Sequence, residues 1–165
     1  MSALRETFIE TLKDTYDAEH QILKALPKVI KHVENGELKQ ALEAHLKETQ
    51  QHAKRLEQVF QTLDESPKSK KCIGMAGLIT EGQEIIDKDE GETALILALQ
   101  KVEHYEIAAY GALVEWAKLL EDEKAAGILQ DTLNEEKAAD KKLNDIAQDT
   151  VNLEEDDQTE QRKAA

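Results

Sequence analysis

The chain has 165 residues, few glycines, prolines and aromatic residues, and a formal net charge of −14. This length suits one domain with a substantial core, and the composition is typical of long helices. The negative charge argues against nucleic acid and anionic membrane surfaces as partners. There is no apolar run of membrane-spanning length and no secretory signal, and the single cysteine, Cys72, excludes an internal disulfide, so we expect a cytoplasmic protein.

Apolar residues at helical spacing predict two long helices and a short one in the first part of the chain. The first long helix covers about residues 3–34, and we expect Asn35-Gly36 to end it in a left-handed turn. The second covers about residues 37–64. A basic linker with a proline follows, and residues 73–87 are predicted to form the short helix.

Two more long helices are predicted at about residues 92–120 and 123–150. The acidic end of the chain, residues 151–165, is expected to be disordered. Residues 64–91 separate the second and third long helices, which is more than adjacent antiparallel helices need. This segment can cross the length of a bundle, so the third long helix should start at the opposite end.

The fold class is therefore all-α: a four-helix bundle with one long crossover that carries a short fifth helix. We assign residues 1–150 to this domain. Its parts are a hairpin at 3–63, the crossover at 64–91 and a second hairpin at 92–150.

The two hairpins are related by an internal repeat, which also relates their acidic residues. Residues 1–63, shifted by 87 positions, align with residues 88–150. Each hairpin thereby places glutamates in the middle of an apolar stripe. The equivalent pairs are Glu19 with Glu106 and Glu48 with Glu135.

Hairpin geometry predicts that charged residues meet at one height in the bundle, because residues equidistant from an antiparallel turn are neighbours. Glu19 then lies level with Glu48 and His52, and Glu106 lies level with Glu136 and Asp140. The helical wheel favours Glu136 as the inward residue of the last helix, whereas the repeat favours the residue before it, and both stay candidates. The candidate metal ligands are Glu19, His45, Glu48, His52, Glu103, Glu106, Glu135, Glu136 and Asp140.

These residue types at one level point to a metal centre. Buried carboxylates repel one another and are costly in a protein interior, while two divalent cations would cancel four of them. Mixed carboxylate and imidazole ligands suit iron, manganese or zinc. Bundles that bind two iron or two manganese ions use such a set. We expect a dinuclear iron or manganese site, with zinc as a further option, and we interpret the nearby Tyr16, Tyr105 and Tyr110 as packing residues.

Three runs of sequence resemble the YciF-like proteins, a small bacterial family of the ferritin-like superfamily. The runs are Glu103–Gly111, Asp14–Glu19 and Thr132–Asp140. The resemblance covers about residues 3–150. It implies a ferritin-like four-helix bundle with a short extra helix, often dimeric, with links to stress response and no settled enzymatic activity. We expect a homodimer, with residues 73–87 as the contact.

The chain departs from the usual metal signature of that superfamily, Glu-x-x-His on the second and fourth helices. The second helix instead has His45-x-x-Glu48 and Glu48-x-x-x-His52. The fourth helix has no histidine, so Asp140 or a second glutamate must replace it. This departure bears on the affinity, number and redox chemistry of the metals more than on the fold.

Two classes of function follow. The leading hypothesis is a ferritin-like metal-binding stress protein that oxidises iron or consumes peroxide. The alternative is a non-catalytic helical stress protein that acts by oligomerisation or by binding a client, which the missing Glu-x-x-His motifs favour. A DNA-protecting ferritin relative ranks below both, because Arg162 and Lys163 are too few beside the preceding acidic residues to form a basic arm.

Overall fold

The computed structural model describes residues 2–148, and helices make up most of this part of the chain. The helices are α1 (Ala3–His32), α2 (Gly36–Thr62), α3 (Ile73–Lys88), α4 (Glu92–Leu119) and α5 (Glu123–Ile146). Residues 2–148 contain no strand, and the all-α class is confirmed. None of these helices combines the length and apolarity needed to cross a membrane. The disorder expected for residues 151–165 lies outside the described residues.

The connection between α1 and α2 differs from the prediction. Helix α1 ends at His32, and Val33 leaves it in an extended conformation, not a left-handed one. Asn35 is the N-cap of α2, where its side chain accepts from the backbone N–H groups of Glu37 and Leu38. The left-handed turn predicted at Asn35-Gly36 is therefore wrong. Asparagine is common both after the end of a helix and as an N-cap. Here it is the N-cap, because its side chain satisfies two free N–H groups of α2.

The crossover runs the full length of the bundle, as predicted. At one end, the side chain of Thr62, the last residue of α2, donates to Asp122 beside the start of α5 over 2.7 Å. At the other end, the carboxylate of Glu92, the first residue of α4, accepts from the backbone N–H groups of Glu34 and Asn35. Helix α4 thus begins at the end of α1, opposite to where α2 finishes.

The four long helices form a square in which α1 and α5 lie on one diagonal, since each contacts α2 and α4. Helix α3 packs on the outside of α1 and α4. The core consists of two apolar clusters, one toward each end of the bundle. One cluster includes Phe8, Leu56, Phe60, Leu113 and Leu129, and the other includes Ile22, Leu38, Met75, Ile96 and Ile146. The buried residues that separate the clusters along each long helix are mainly polar.

Helix α3 is held in place by a buried cysteine. Cys72 is its N-cap, and the Cys72 sulfur lies 3.1 Å from the Tyr105 hydroxyl of α4. That hydroxyl donates to Asp14 of α1 over 3.3 Å. Burial raises the pKa of the Cys72 thiol, so this residue packs as a neutral group. The outer face of α3 exposes Ile73 by 79%; the dimer contact expected for this segment stays a prediction.

A glycine-to-alanine change at residue 74 should destabilise the fold by about 1–3 kcal/mol. An added Cβ at Gly74 would lie 2.6 Å from a ring carbon of Tyr105, and the ring could yield only by leaving Cys72 and Asp14. Gly77 of the same helix is the matched control, because its Cβ would meet nothing within 4 Å. Gly77→Ala should stabilise the protein by about 0.5–1 kcal/mol. Urea denaturation measures both, and equal effects would contradict the packing of α3 described here.

Candidate metal centre

A layer of polar side chains crosses the middle of the bundle between the two apolar clusters. It lies there because each long helix carries its buried polar residues between two apolar turns, so that the helices meet at one height. The structure brings six of the predicted ligands into this layer, and all six are at most 6% exposed. They are Glu19, His45, His52, Glu103, Glu106 and Glu136.

These six residues form two groups that share Glu136. In one group, ligand atoms of Glu19, His52 and Glu136 all lie within 4.8 Å of one another. In the other, the same holds for the four residues His45, Glu103, Glu106 and Glu136. A carboxylate has two oxygens and can bind one ion with each. Cations bound by the two groups would therefore share Glu136, and every candidate ligand comes from one of the four long helices.

Glu135 lies at the margin of this layer, where it orients a histidine. The carboxylate of Glu135 accepts two hydrogen bonds from Arg55, of 2.5 and 2.9 Å, and one from His52 Nε2 of 2.8 Å. His52 Nδ1 consequently faces inward, 2.8 Å from a Glu136 oxygen and 3.7 Å from a Glu19 oxygen. A carboxylate on the outer nitrogen fixes the ring and its tautomer, as is usual for histidines that bind metals.

The second histidine has a more open environment. His45 Nε2 lies 3.2 Å from Glu103, and its Nδ1 lies 3.7 Å from Glu48. The Glu48 side chain is 46% exposed, so Glu48 lies outside the two groups of ligands. A cavity of about 230 Å³ between α2, α4 and α5 is lined by Glu48 and Lys142 and reaches His45 and Glu103. His45 and Glu103 are thus the members of the layer that border open space on this side of the bundle.

Asp140 also lies outside the two groups. Its side chain is 25% exposed, and one oxygen is 3.2 Å from Nδ1 of His104, which is itself exposed. Glu48, Glu135 and Asp140 thus surround the buried layer, and direct ligation by any of them stays a prediction.

Sequence reasoning did not assign two residues that act on the layer. Tyr110 is fully buried, and beyond the packing role predicted for it, its hydroxyl donates to Glu19. Arg55 holds Glu135. Helical spacing contained a signal for both, because Tyr110 follows Glu106 by four residues and Arg55 follows His52 by three. Their partners lie 80 to 91 residues away in the chain, and no local pattern reveals them.

Most carboxylate oxygens of the layer lack a hydrogen bond. Both oxygens of Glu106, both of Glu136, and one each of Glu19 and Glu103 have no hydrogen bond among the described residues. Burial, followed by the charge of Glu136, raises the pKa of Glu19 to about 7. Burial also raises the pKa of Glu136 to about 7, and it raises that of Glu106 well above the usual range. Without a cation, this layer holds protons up to about pH 7, where glutamates in water would be fully ionised.

The two histidines of the layer also have raised pKa values, which favour their protonated, cationic form. Although burial disfavours a charged ring, the neighbouring carboxylates, with Glu103 first, raise the pKa of His45 well above its ordinary value. Burial lowers the pKa of His52 as well, but the neighbouring Glu136 and Glu19 outweigh it, so the pKa of His52 is raised. The metal-free layer is thus balanced by protons. Its unpartnered oxygens and inward imidazole nitrogens fit the mixed oxygen and nitrogen ligation of iron, manganese or zinc.

Comparisons with known proteins agree with this fold. The model of the family described as a domain of unknown function, DUF892, matches residues 3–155. Protein YciF of Escherichia coli (strain K12) is 45% identical over 157 residues, covering 92% of this chain and 95% of YciF. The crystal structure of the E. coli stress protein YciF matches with a TM-score of 0.88, covering 92% of this chain and 99% of that chain. YcfI of Rhodopseudomonas palustris is 41% identical, with a TM-score of 0.80 over 87% of this chain and 94% of its own.

The metal-free protein should lose stability as the pH rises from about 5 to about 7. Folded Glu19 and Glu136 keep their protons up to about pH 7, whereas an unfolded glutamate releases its proton near pH 4.5. The folded state binds more protons than the unfolded state in this window, so the free energy of unfolding falls with rising pH. Urea denaturation in the presence of a chelator measures this slope.

Glu19→Gln removes one of these carboxyl groups and should flatten the slope. Glu43→Gln, an exposed position on α2, is the matched control and should leave it unchanged. A free energy of unfolding that increases over this pH range in the wild-type protein would contradict the proton-balanced layer.

Proposed function

The chain belongs to the DUF892 family of YciF-like helical proteins, and we propose that it is a metal-binding stress protein with two iron or manganese ions in the buried layer. One ion would be held by Glu19, His52 and Glu136. The other would be held by His45, Glu103, Glu106 and Glu136. The single observation that carries the proposal is this pair of overlapping groups at the centre of the bundle.

Charge balance supports two divalent ions. The four buried carboxylates, Glu19, Glu103, Glu106 and Glu136, carry four negative charges when ionised, and two divalent cations cancel them. Binding would release the protons that the metal-free layer retains, so affinity should increase with pH. The unpartnered oxygens would also gain a cation as partner, in place of the water that burial excludes.

The remaining residues of the layer position the ligands. Tyr110 holds one oxygen of Glu19, while Arg55 and Glu135 hold the His52 ring with Nδ1 inward. Iron or manganese bound here would supply redox chemistry toward oxygen or peroxide. The chain would contribute fixed ligand geometry, a hydroxyl group beside Glu19, and apolar clusters on both sides that keep bulk water out.

We further propose that this chemistry oxidises iron or consumes peroxide during stress. The description of the E. coli relative as a stress protein supports the physiological context. A non-catalytic role, through oligomerisation or binding of a client, is the alternative that metal analysis decides.

Protein purified without a chelator, then incubated with Fe(II) under anaerobic conditions or with Mn(II), should contain about two ions per chain, and its melting temperature should increase. Inductively coupled plasma mass spectrometry measures the content, and calorimetry measures the shift. Less than about one-tenth of an ion per chain, with no shift in melting temperature, would overturn the metal centre in favour of the non-catalytic role.

Adjacent glutamates on α5 provide a sharper test of the ligand assignment. Glu136→Gln should reduce the bound metal below two ions per chain, because both groups use this carboxylate. Glu135→Gln should keep the full metal content but weaken affinity by about 10- to 100-fold, because Glu135 only orients His52. Metal titrations of the two variants make the comparison. Loss of metal content in Glu135→Gln, with none in Glu136→Gln, would reverse the assignment.

A further inference from the structure

A second cavity, of about 260 Å³, lies beneath the crossover helix, between α1, α3 and α4. Its walls are mostly aliphatic and include Leu26, Val29, Ile79, Ile86, Leu99 and Val102. This volume lies near the lower limit of small-ligand pockets, which begin at about 300 Å³. The cavity therefore suits a short apolar group and is too small for a long lipid.

The inner end of the cavity is polar and adjoins the candidate metal centre. His45 and Glu103 line it there, and they are 6% and 2% exposed. Neither ring nitrogen of His45 has an aligned hydrogen-bond partner among the described residues, and one oxygen of Glu103 has none. A molecule in this cavity would thus lie with one end against His45 and Glu103.

The outer end of the cavity is cationic. Lys24 and Lys28 lie one turn apart on α1, line the cavity and are exposed. Neither lysine has an ion-pair partner in residues 2–148, although the chain carries a large excess of acidic residues. Apart from His45 and Glu103, which lie 3.2 Å apart at the inner end, these lysines are the charged groups that line the cavity. At the inner end His45 and Glu103 balance each other, so the lysines at the rim are the cations left to pair with an anionic head group.

We propose that this cavity binds a short-chain aliphatic carboxylate, with its head group at Lys24 and Lys28 and its chain directed toward His45 and Glu103. Its role as a substrate or regulator of the metal centre rests on the proposed function, whereas its binding does not require metal. Aliphatic walls with a few polar groups at the ends are the usual composition of a small-molecule site.

Gly82 of α3 allows the cavity to be filled without breaking the helix. An added Cβ at Gly82 would meet only Ala98 of the opposite wall, at 3.9 Å, so a larger side chain would extend into the cavity. Gly82→Leu replaces a helical glycine with a good helix former, so the fold should be retained. Gly77→Leu is the matched control, because Gly77 is exposed on the same helix and does not line the cavity.

Octanoate is the probe, titrated by calorimetry into metal-free protein. Wild type and Gly77→Leu should bind it equally, and Gly82→Leu should bind it at least about tenfold more weakly. Lys24→Gln combined with Lys28→Gln should weaken octanoate but leave 1-octanol unchanged. The exposed pair Lys47→Gln and Lys54→Gln on α2 is the charge control and should bind like wild type. Absence of octanoate binding, or equal binding by Gly82→Leu, would overturn the proposal.

A second measurement tests the link to the metal centre. Octanoate should change the visible absorption of the Co(II)-loaded wild-type protein and leave that of Co(II)-loaded Gly82→Leu unaltered. An unaltered wild-type spectrum despite calorimetric binding would overturn the role at the metal centre. Failure to load Co(II), Fe(II) and Mn(II) alike would overturn the proposed function itself, while the calorimetric comparison, which needs no metal, would still decide the cavity.

Discussion

The structure depends on one electrostatic constraint: four glutamates are buried at the same height in a bundle whose other interior residues are mainly apolar. Such a layer costs stability unless protons or cations balance it. The two apolar clusters on either side supply the stability that the layer does not, because each joins residues from all four long helices. The middle of the bundle is thereby free to present unpartnered oxygens, and the fold tolerates a strongly polar centre.

The fold and most of the layer could be predicted because they follow from spacing along single helices. Alternation of three and four residues placed Glu19, Glu106 and His52 inward, and the length of residues 64–91 predicted the crossover. The end of α1 could not be predicted, because Asn35 suits either helix end and only its contact with α2 and Glu92 decides between them. The role of Arg55 was not predictable either, because its partner Glu135 lies 80 residues away in the chain and only the fold brings them together.

The choice between Glu135 and Glu136 shows where the repeat stops being informative. The shift of 87 positions relates Glu48 to Glu135, and the structure places both at the margin of the layer, each beside a histidine of α2. The same shift relates Glu136 to Thr49, which is buried but carries no charge. The halves therefore share positions while their buried chemistry has diverged. The helical wheel, which depends on the angular position around the helix axis, indicated the inward residue, whereas sequence equivalence indicated the residue that orients His52.

This divergence makes the two halves of the layer unequal. Tyr110 holds Glu19, and Glu135 with Arg55 holds His52, so this half is closed by hydrogen bonds. His45 has only the half-exposed Glu48 on its outer nitrogen, and both cavities reach His45 and Glu103, whereas neither is lined by Glu19, His52 or Glu136. Under the proposed function, small molecules would therefore meet the centre on the His45 side. The rigid half would fix the position of the shared Glu136, and the open half would exchange ions and ligands with solvent.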